Sequence, residues 1–245
     1  MTAAAAIPNY IGGKWVPAET GDALDVRDPA SGELLGRAPL STREDVDHAV
    51  AAARAAFPAW RATPAVERAR VLFRLKALLE RDKEDLARSL TREHGKIVPE
   101  ARGEIQRGIE NVEHACGIPT LLMGETLEDI ARGIDCETIR QPLGVFAAIT
   151  PYNFPIMIPL WFWPYAVAAG NTVVLKPSEQ DPLTHQRIVD LATEAGLPPG
   201  VLNVVHGARD AVSAILEHPD IKGVSFVGSS QTARLVYAKA AESGK

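Results

Sequence analysis

An asparagine amide on a proline-bounded loop is the first candidate for chemistry in this sequence. Asn153 lies between Tyr152 and Phe154, with Pro151 before and Pro155 after the three residues. A side-chain amide on such a stiff loop can donate hydrogen bonds to an oxygen that gains negative charge during a reaction. The alternative is an Asx turn between two prolines, which we would favour if this loop stood alone.

A lysine and a carboxylate follow about one βα unit later. Lys176 ends an apolar run, and Glu179 comes three positions on, after a proline. Such a pair can bind the two hydroxyls of a ribose, and its carboxylate accepts a hydrogen bond from a 2′-hydroxyl but repels a 2′-phosphate. The pair therefore favours NAD over NADP as a ligand. Taken alone, it is more simply explained as a surface ion pair of little energetic value.

A third candidate is Gly228-Ser229-Ser230, between an apolar run and a helical pattern. Backbone N–H groups and the Ser229 hydroxyl at a helix N-terminus can face an anion such as a pyrophosphate. An ordinary serine N-cap explains the same residues equally well, and the GxGxxG pattern is missing. The three features occur in order after successive predicted strands, which shifts the balance toward a nucleotide site with an adjacent oxyanion donor.

The elements that must position these residues follow a βα alternation from Gly144 onward. Four apolar runs without polar alternation indicate strands buried on both faces, and helical patterns follow each one. We predict an α/β fold, a doubly wound and mostly parallel sheet with ligands outside the carboxyl ends of its strands. The predicted strands are 145–149, 172–175, 201–205 and 223–227, and the predicted helices are 156–169, 183–195, 208–217 and 231–242.

The residues before this alternation predict an arm and several helices. Gly and Pro residues with short β-like pieces over 7–38 predict a hairpin laid over the surface rather than part of the core. A Ser41-to-Glu44 capping box starts a helix through Ala56, and Pro64 starts another whose apolar face includes Val66 and Phe73. Two more helices are predicted over 83–94, ended by Gly95, and over 100–115, which carries a charged face formed by Glu100, Glu104 and Arg107.

Residues 125–141 predict a two-stranded excursion around Gly133. Because two strands alone are marginal in water, we expect a neighbouring subunit to cover them. The chain is thus divided into an arm with helices (1–124), an oligomerisation hairpin (125–142) and a βα part (143–245) that stops before the last strand of its sheet.

Composition excludes several classes of partner. The 245 residues carry a net charge of -5 without a Lys/Arg cluster, which argues against nucleic acid and anionic membranes. The most apolar run, Pro155 to Ala169, is shorter than the ~20 residues that a bilayer crossing needs and contains three prolines.

The start of the chain lacks a basic or apolar targeting segment, so a cytoplasmic location is expected. Cys116 and Cys136 have neither metal-site nor disulfide spacing.

Three segments together resemble the aldehyde dehydrogenase superfamily: 149–155, 169–179 and 226–229. Within it, residues 116–119, 133–135, 139–144 and 157–161 are similar to the CoA-acylating methylmalonate-semialdehyde dehydrogenases, a group that also acts on malonate semialdehyde. The similarity runs from about Ile7 to the end of the chain.

The resemblance implies a reaction in which a cysteine thiolate attacks an aldehyde, hydride passes to NAD, CO₂ is lost and CoA takes the acyl group. Asn153 matches the oxyanion-hole amide, and Arg107 matches an arginine that binds the substrate carboxylate, a role that suits a guanidinium. Without the resemblance, an ion pair of Arg107 with Glu104 or Glu110 would be favoured. The matching cofactor-contact residues are Thr150, Tyr152, Lys176, Glu179, Gln180 and Ser229.

The resemblance also implies a missing part. Family members are longer and carry the nucleophilic cysteine in their carboxyl-terminal half, whereas Cys116 and Cys136 match non-catalytic regions. We therefore expect the catalytic domain to be absent and this chain to be inactive without the carboxyl-terminal half. The expected partners are a small semialdehyde substrate and either further copies of this chain or a complementary carboxyl-terminal half. Two alternatives remain open: a non-catalytic nucleotide-binding or assembly module, and another aldehyde specificity such as succinate semialdehyde.

Overall fold

The computed structural model describes residues 6–245. The first five residues, part of the segment in which the sequence predicts no targeting signal, lie outside the described residues. A six-stranded sheet forms the centre, with strand order β10-β7-β8-β9-β1-β2. Its strands are β1 (Asn9–Ile11), β2 (Lys14–Val16), β7 (Val145–Ile149), β8 (Thr172–Lys176), β9 (Leu202–Val204) and β10 (Ile221–Phe226).

The four strands β10, β7, β8 and β9 are parallel to one another, as the βα pattern predicts. The helices that connect or follow them are α6 (Met157–Ala168), α7 (Leu183–Glu194), α8 (Arg209–Glu217) and α9 (Ser230–Glu242). Each lies within two residues of its predicted range. The doubly wound, mostly parallel α/β fold is therefore confirmed.

Alternate residues of one strand enter two different cores, which shows that helices cover both faces of the sheet. Val173 and Leu175 of β8 pack into a large cluster with α6, α7 and earlier helices within 65–115. Val174, between them, packs into a second cluster with α8, α9 and the helix that begins at Arg43. Strands buried on both faces need apolar side chains at every position, which explains the unbroken apolar runs.

The helices before the alternation are α1 (Arg43–Ala62), α2 (Ala65–Arg81), α3 (Lys83–His94), α4 (Val98–Ala115) and the short α5 (Ile118–Leu121). Gly95 ends α3 in the left-handed conformation with φ 88°, as the sequence predicts. The capping box of α1 lies one residue later than predicted: the Thr42 N–H donates to Asp45 Oδ2 at 2.9 Å. Val66 and Phe73 of α2 are more than half exposed, so their predicted place on its buried face is wrong.

The predicted surface arm is also wrong in part. The Tyr10 hydroxyl shares a 2.8 Å hydrogen bond with Thr193 Oγ1 of α7, and Tyr10 pairs with Val204 of β9 in an antiparallel register. The first hairpin therefore extends the main sheet. The second, β3 (Ala23–Arg27) with β4 (Leu34–Pro39), forms a separate two-stranded sheet over a small apolar cluster.

The excursion is a hairpin of β5 (Thr126–Ala131) and β6 (Ile134–Glu137), with Gly133 in the turn at φ 74°. Every residue of both strands is exposed, including Leu127, Ile130 and Ile134. The apolar run 155–169 contains helix α6, most of whose residues are buried.

No helix within residues 6–245 combines the length and the apolarity that a membrane span requires.

Candidate functional site

The strand order places a cleft at one position of the sheet. The chain runs from β7 to β8 to β9 on one side, and then returns to place β10 on the other side of β7. Ligands of open α/β sheets bind at such a reversal, outside the carboxyl ends of the strands. A cavity of about 400 Å³ lies there, between the residues that follow β7, β8 and β10.

Lys176 and Glu179 form an ion pair in this cavity. Lys176 Nζ lies 3.0 Å from Glu179 Oε2, and the lysine side chain is only 6% exposed whereas the carboxylate is 28% exposed. A buried lysine differs from the solvated surface pair that the isolated motif suggested. The pair offers one donor and one acceptor at the carboxyl end of β8, which is the arrangement that two ribose hydroxyls require.

Thr150, Tyr152 and Gln180 line the same cavity. The Thr150 N–H donates to the Lys176 carbonyl at 3.1 Å, which ties the end of β7 to the end of β8. The Thr150 hydroxyl is buried and has no hydrogen-bond partner within residues 6–245. Because a buried polar group normally has a partner, this hydroxyl is available to a ligand, and the cavity fits a nucleotide in that respect.

Ser229 is the N-cap of α9, and its Oγ accepts a hydrogen bond from the Thr232 N–H at 3.2 Å. The serine N-cap that the sequence left as an equal alternative is therefore formed. The neighbouring Gly228 and Thr232 line the cavity. A contact of Ser229 with an anion stays a prediction.

Asn153 lies in a second cavity of about 500 Å³, with Phe154 and Arg107 among its lining residues. Val227, directly after β10, lines both cavities, so the second adjoins the first. No hydrogen bond to the Asn153 side-chain amide is present in the described part of the chain, which leaves its N–H groups available. The structure thus brings the amide next to the cavity that contains Lys176 and Glu179.

Arg107 is an exposed side chain of α4. Its Nε donates to the Gly103 carbonyl at 3.2 Å, and its Cζ lies 5.1 Å from the centre of the Phe154 ring. Among residues 6–245 no salt bridge joins Arg107 to Glu104 or Glu110, so the ion pair favoured from sequence alone is not formed. The guanidinium therefore lines the Asn153 cavity without a carboxylate partner among the described residues.

Glu104 does not lie on a charged surface, which corrects the predicted face of α4. Its side chain is fully buried and pairs with Lys96. Glu104 Oε1 accepts hydrogen bonds from the backbone N–H groups of Ile156 at 2.8 Å and Met157 at 3.2 Å. Lys96 also donates to the Asn153 carbonyl at 3.0 Å. The sequence reasoning missed Lys96, although its position directly after Gly95 places it where α3 ends and the chain turns.

Neither cysteine lines either cavity. Cys116 is the buried C-cap of α4, and burial raises the pKa of its thiol to about 11, which disfavours the thiolate. Cys136 is exposed on β6 of the hairpin. These positions agree with the interpretation of both as non-catalytic thiols.

Comparison with known proteins gives a family match. The model of the Aldehyde dehydrogenase family matches residues 15–245. Malonate-semialdehyde dehydrogenase 2 of Geobacillus thermodenitrificans is 56% identical over 245 residues, all of this chain and 51% of the relative. Malonate-semialdehyde dehydrogenase of Halalkalibacterium halodurans is 53% identical over 239 residues, 98% of this chain and 49% of that protein.

Solved structures agree with these relatives. The crystal structure of methylmalonate-semialdehyde dehydrogenase from Oceanimonas doudoroffii has a TM-score of 0.96 and 48% identity, over 98% of this chain and 49% of that one. A protein of Sinorhizobium meliloti 1021, assigned as a methylmalonate-semialdehyde dehydrogenase and complexed with NAD, has a TM-score of 0.97 and 46% identity over 100% of this chain and 50% of that one. The chain spans about half the length of the relatives it matches.

Proposed function

We propose, from the premise that this chain belongs to the aldehyde dehydrogenase family, that it is the amino-terminal, NAD-binding part of a CoA-acylating methylmalonate- or malonate-semialdehyde dehydrogenase. The observation that carries the proposal is the adjacency of two cavities. One contains the Lys176–Glu179 pair and the other contains the Asn153 amide, and Val227 lines both. A cofactor in the first can therefore meet a substrate in the second.

In this proposal, Lys176 donates to one ribose hydroxyl and Glu179 accepts from the other. Thr150, Tyr152 and Gln180 contribute further contacts to the nucleotide, and Gly228 with Ser229 presents the N-terminus of α9 to the pyrophosphate. Because Glu179 would repel a 2′-phosphate, NAD is preferred over NADP. When bound, NAD supplies the acceptor for the hydride that leaves the aldehyde carbon.

Arg107 and Asn153 would bind two different groups of the substrate. The Arg107 guanidinium would bind the carboxylate of the semialdehyde in the cavity that it shares with Asn153, beside the cavity that would hold the cofactor. The Asn153 amide donates to the aldehyde oxygen, which becomes an oxyanion when a cysteine thiolate attacks the carbon. Loss of hydride from that carbon leaves a thioester. The carboxylate then departs as CO₂, and the α-carbon that carried it takes up a proton. The CoA thiol then attacks the thioester carbonyl, and the enzyme cysteine leaves as its thiolate.

The attacking cysteine must come from outside the 245 residues, because neither Cys116 nor Cys136 reaches the cavities. The chain alone should therefore not turn over the substrate. A completed chain, in which residues 1–245 are fused in frame to the carboxyl-terminal half of a malonate-semialdehyde dehydrogenase relative, should form NADH from malonate semialdehyde, NAD and CoA. Production of NADH by residues 1–245 alone would contradict this part of the proposal.

Removal of the Asn153 amide tests the oxyanion role. Asn153→Ala in the completed chain should lower kcat about 100- to 1,000-fold, the usual effect of losing one oxyanion donor. The KM for NAD should stay within about twofold because Asn153 lies in the other cavity. Steady-state NADH formation measures both quantities. An unchanged kcat would exclude the assigned role.

The exposed hairpin is proposed to join subunits, since Leu127, Ile130 and Ile134 are each 56% exposed on two strands that, within residues 6–245, pair only with each other. Replacing the three with Ser should convert an oligomer to a smaller species on sizing chromatography with light scattering. A matched variant, Val66→Ser with Phe73→Ser on the exposed face of α2, should leave the mass unchanged. If the hairpin variant keeps its mass, the hairpin is not the interface.

A further inference from the structure

The loop that carries Asn153 is held by a buried ion pair between Lys96, in the connection from α3 to α4, and Glu104 of α4. Lys96, between α3 and α4, donates to the Asn153 carbonyl oxygen at 3.0 Å. Its Nζ also lies 4.7 Å from the centre of the Phe154 ring, within the range of a cation–π contact. One lysine thus contacts two consecutive residues of the loop.

Glu104 fixes the other end of the same loop. Its two carboxylate oxygens divide their partners: Oε2 pairs with Lys96, and Oε1 accepts from the N–H groups of Ile156 and Met157 where α6 begins. The lysine side chain is 8% exposed and the carboxylate is 0% exposed. Glu104 therefore links Lys96, which binds the Asn153 carbonyl, to the start of α6.

We propose that Lys96 and Glu104 are positioning residues for the Asn153 amide. The inference rests on the proposed function, because it assigns them an effect on the oxyanion donor of that reaction. The pair fixes the backbone on both sides of Pro155, so the orientation of the Asn153 side chain is set before a substrate binds. Preorganised donors stabilise developing charge because they need no rearrangement during the reaction.

Alternatively, the Lys96–Glu104 pair could serve only to stabilise the fold. Buried ion pairs are not in general a source of stability, because removing two charges from water opposes their attraction. The contact with Asn153 is what distinguishes the two roles. If Lys96 acts through Asn153, removing Lys96 lowers the rate constant only while the Asn153 amide is present. If Lys96 only stabilises the fold, the substitutions at Lys96 and at Asn153 affect the rate constant independently.

The experiment is a double-mutant cycle in the completed chain. Lys96→Met removes the charge and the donor while it keeps an apolar chain of similar length. Glu104→Gln is the second variant, since an amide oxygen can still accept from Ile156 and Met157. Glu84→Gln is the matched control, because Glu84 of α3 makes an exposed ion pair with Arg102 of α4, the helix that also carries Glu104. Each substitution is made with Asn153 and with Asn153→Ala.

The measurement is the single-turnover rate constant of NADH formation at saturating malonate semialdehyde and NAD, since a rate constant does not depend on the folded fraction. With Asn153 present, Lys96→Met should lower it about 10- to 100-fold, the usual consequence of a donor misplaced by about 1 Å. Glu104→Gln should lower it in the same direction and Glu84→Gln should not. In the Asn153→Ala background, Lys96→Met should change it less than about twofold.

Two results would overturn the inference: an unchanged rate constant in Lys96→Met and Glu104→Gln, or an equal loss with and without the Asn153 amide. If Lys96→Met does not fold, Glu104→Gln decides by the same comparison. Failure of the unsubstituted completed chain to form NADH would be a failure of the proposed function itself, and the catalytic assignment of the pair would fall with it. The unsubstituted chain thus separates the two failures.

Discussion

Asp181 lies in an environment that strongly disfavours its charge. Its side chain is 2% exposed, and neither carboxylate oxygen has a hydrogen-bond partner within residues 6–245. Burial raises the pKa of Asp181 to about 9, and the nearby carboxylates of Glu93 and Glu104 add to the rise, which Ser178 and Lys96 oppose. An aspartate in the unfolded chain has a pKa of about 3.9. The folded chain therefore keeps a proton that the unfolded chain releases at neutral pH.

This difference makes the free energy of unfolding fall as pH rises. Between pH 4 and pH 9 the unfolded state binds fewer protons at Asp181 than the folded state. The contribution of Asp181 to the free energy of unfolding is therefore fully present below about pH 4 and is lost as the pH rises toward 9. Asp181→Asn cannot ionise and should raise the Tm at pH 8, with a much smaller effect at pH 5. Asp22→Asn, at an exposed position, should show no such dependence. Thermal melts at both pH values would refute the interpretation if Asp181→Asn shifts Tm equally.

The site residues differ in how far the sequence could predict them. Lys176 and Glu179 are three positions apart, so local spacing was enough to predict their pairing. Glu104 could not be placed correctly, because its burial depends on Ile156 and Met157, more than fifty residues later. Lys96 has a partner equally distant in Asn153. Residues whose role depends on distant backbone groups carry no local signal.

At the scale of elements, α4 positions the Asn153 cavity through close packing with α6. Gly108 of α4 lies against α6: a Cβ added there would be 2.8 Å from Leu160 Cδ1 and 3.6 Å from Met157 Cα. Gly103, on the exposed face of the same helix, has no heavy atom within 4 Å of an added Cβ. The two glycines therefore share the helical backbone but differ in the space around them.

Alanine substitution at these glycines should have opposite results. Gly103→Ala should stabilise by about 0.5–1 kcal/mol, because alanine loses less backbone entropy in a helix. Gly108→Ala gains the same entropic stabilisation, but its added methyl group crowds Leu160. Such overpacking costs about 1–3 kcal/mol. Chemical denaturation should place Gly108→Ala at least about 1 kcal/mol below Gly103→Ala. Equal stabilisation by both would show that α4 and α6 can separate without cost.

Whether a segment forms a helix or a strand was easier to predict from sequence than which other elements it packs against. The four parallel strands and the helices α6 to α9 follow from local periodicity, and their bounds differ from the predictions by at most two residues. The sheet membership of β1 was missed, since a three-residue strand has too short a pattern and its partner β9 comes almost two hundred residues later. Helix α1 continues past Pro58 to Ala62, where the Trp60 indole N–H donates to the Val167 carbonyl at 2.9 Å. Tertiary packing there overrides the expected end at Ala56.

At the scale of the molecule, the strand order decides where a ligand can bind. The alternation predicted a parallel sheet, but it did not show that β10 returns to the far side of β7. That return separates the loops after β7 and β10 and opens the cavity at their junction. Both cavities lie at this edge of the sheet, and Val227 lines the two of them.

The most direct test of the account is calorimetric titration of the 245-residue chain with NAD, because it needs no turnover. We expect saturable 1:1 binding of NAD, weaker binding of NADP, and a loss of NAD affinity of about tenfold or more in Lys176→Met, as expected for a hydrogen bond to a charged group. Lys14→Met, an exposed change on β2, should bind NAD normally. Absence of NAD binding by the folded chain, or equal NAD affinity in Lys176→Met, would contradict the claim that this cleft is a nucleotide site.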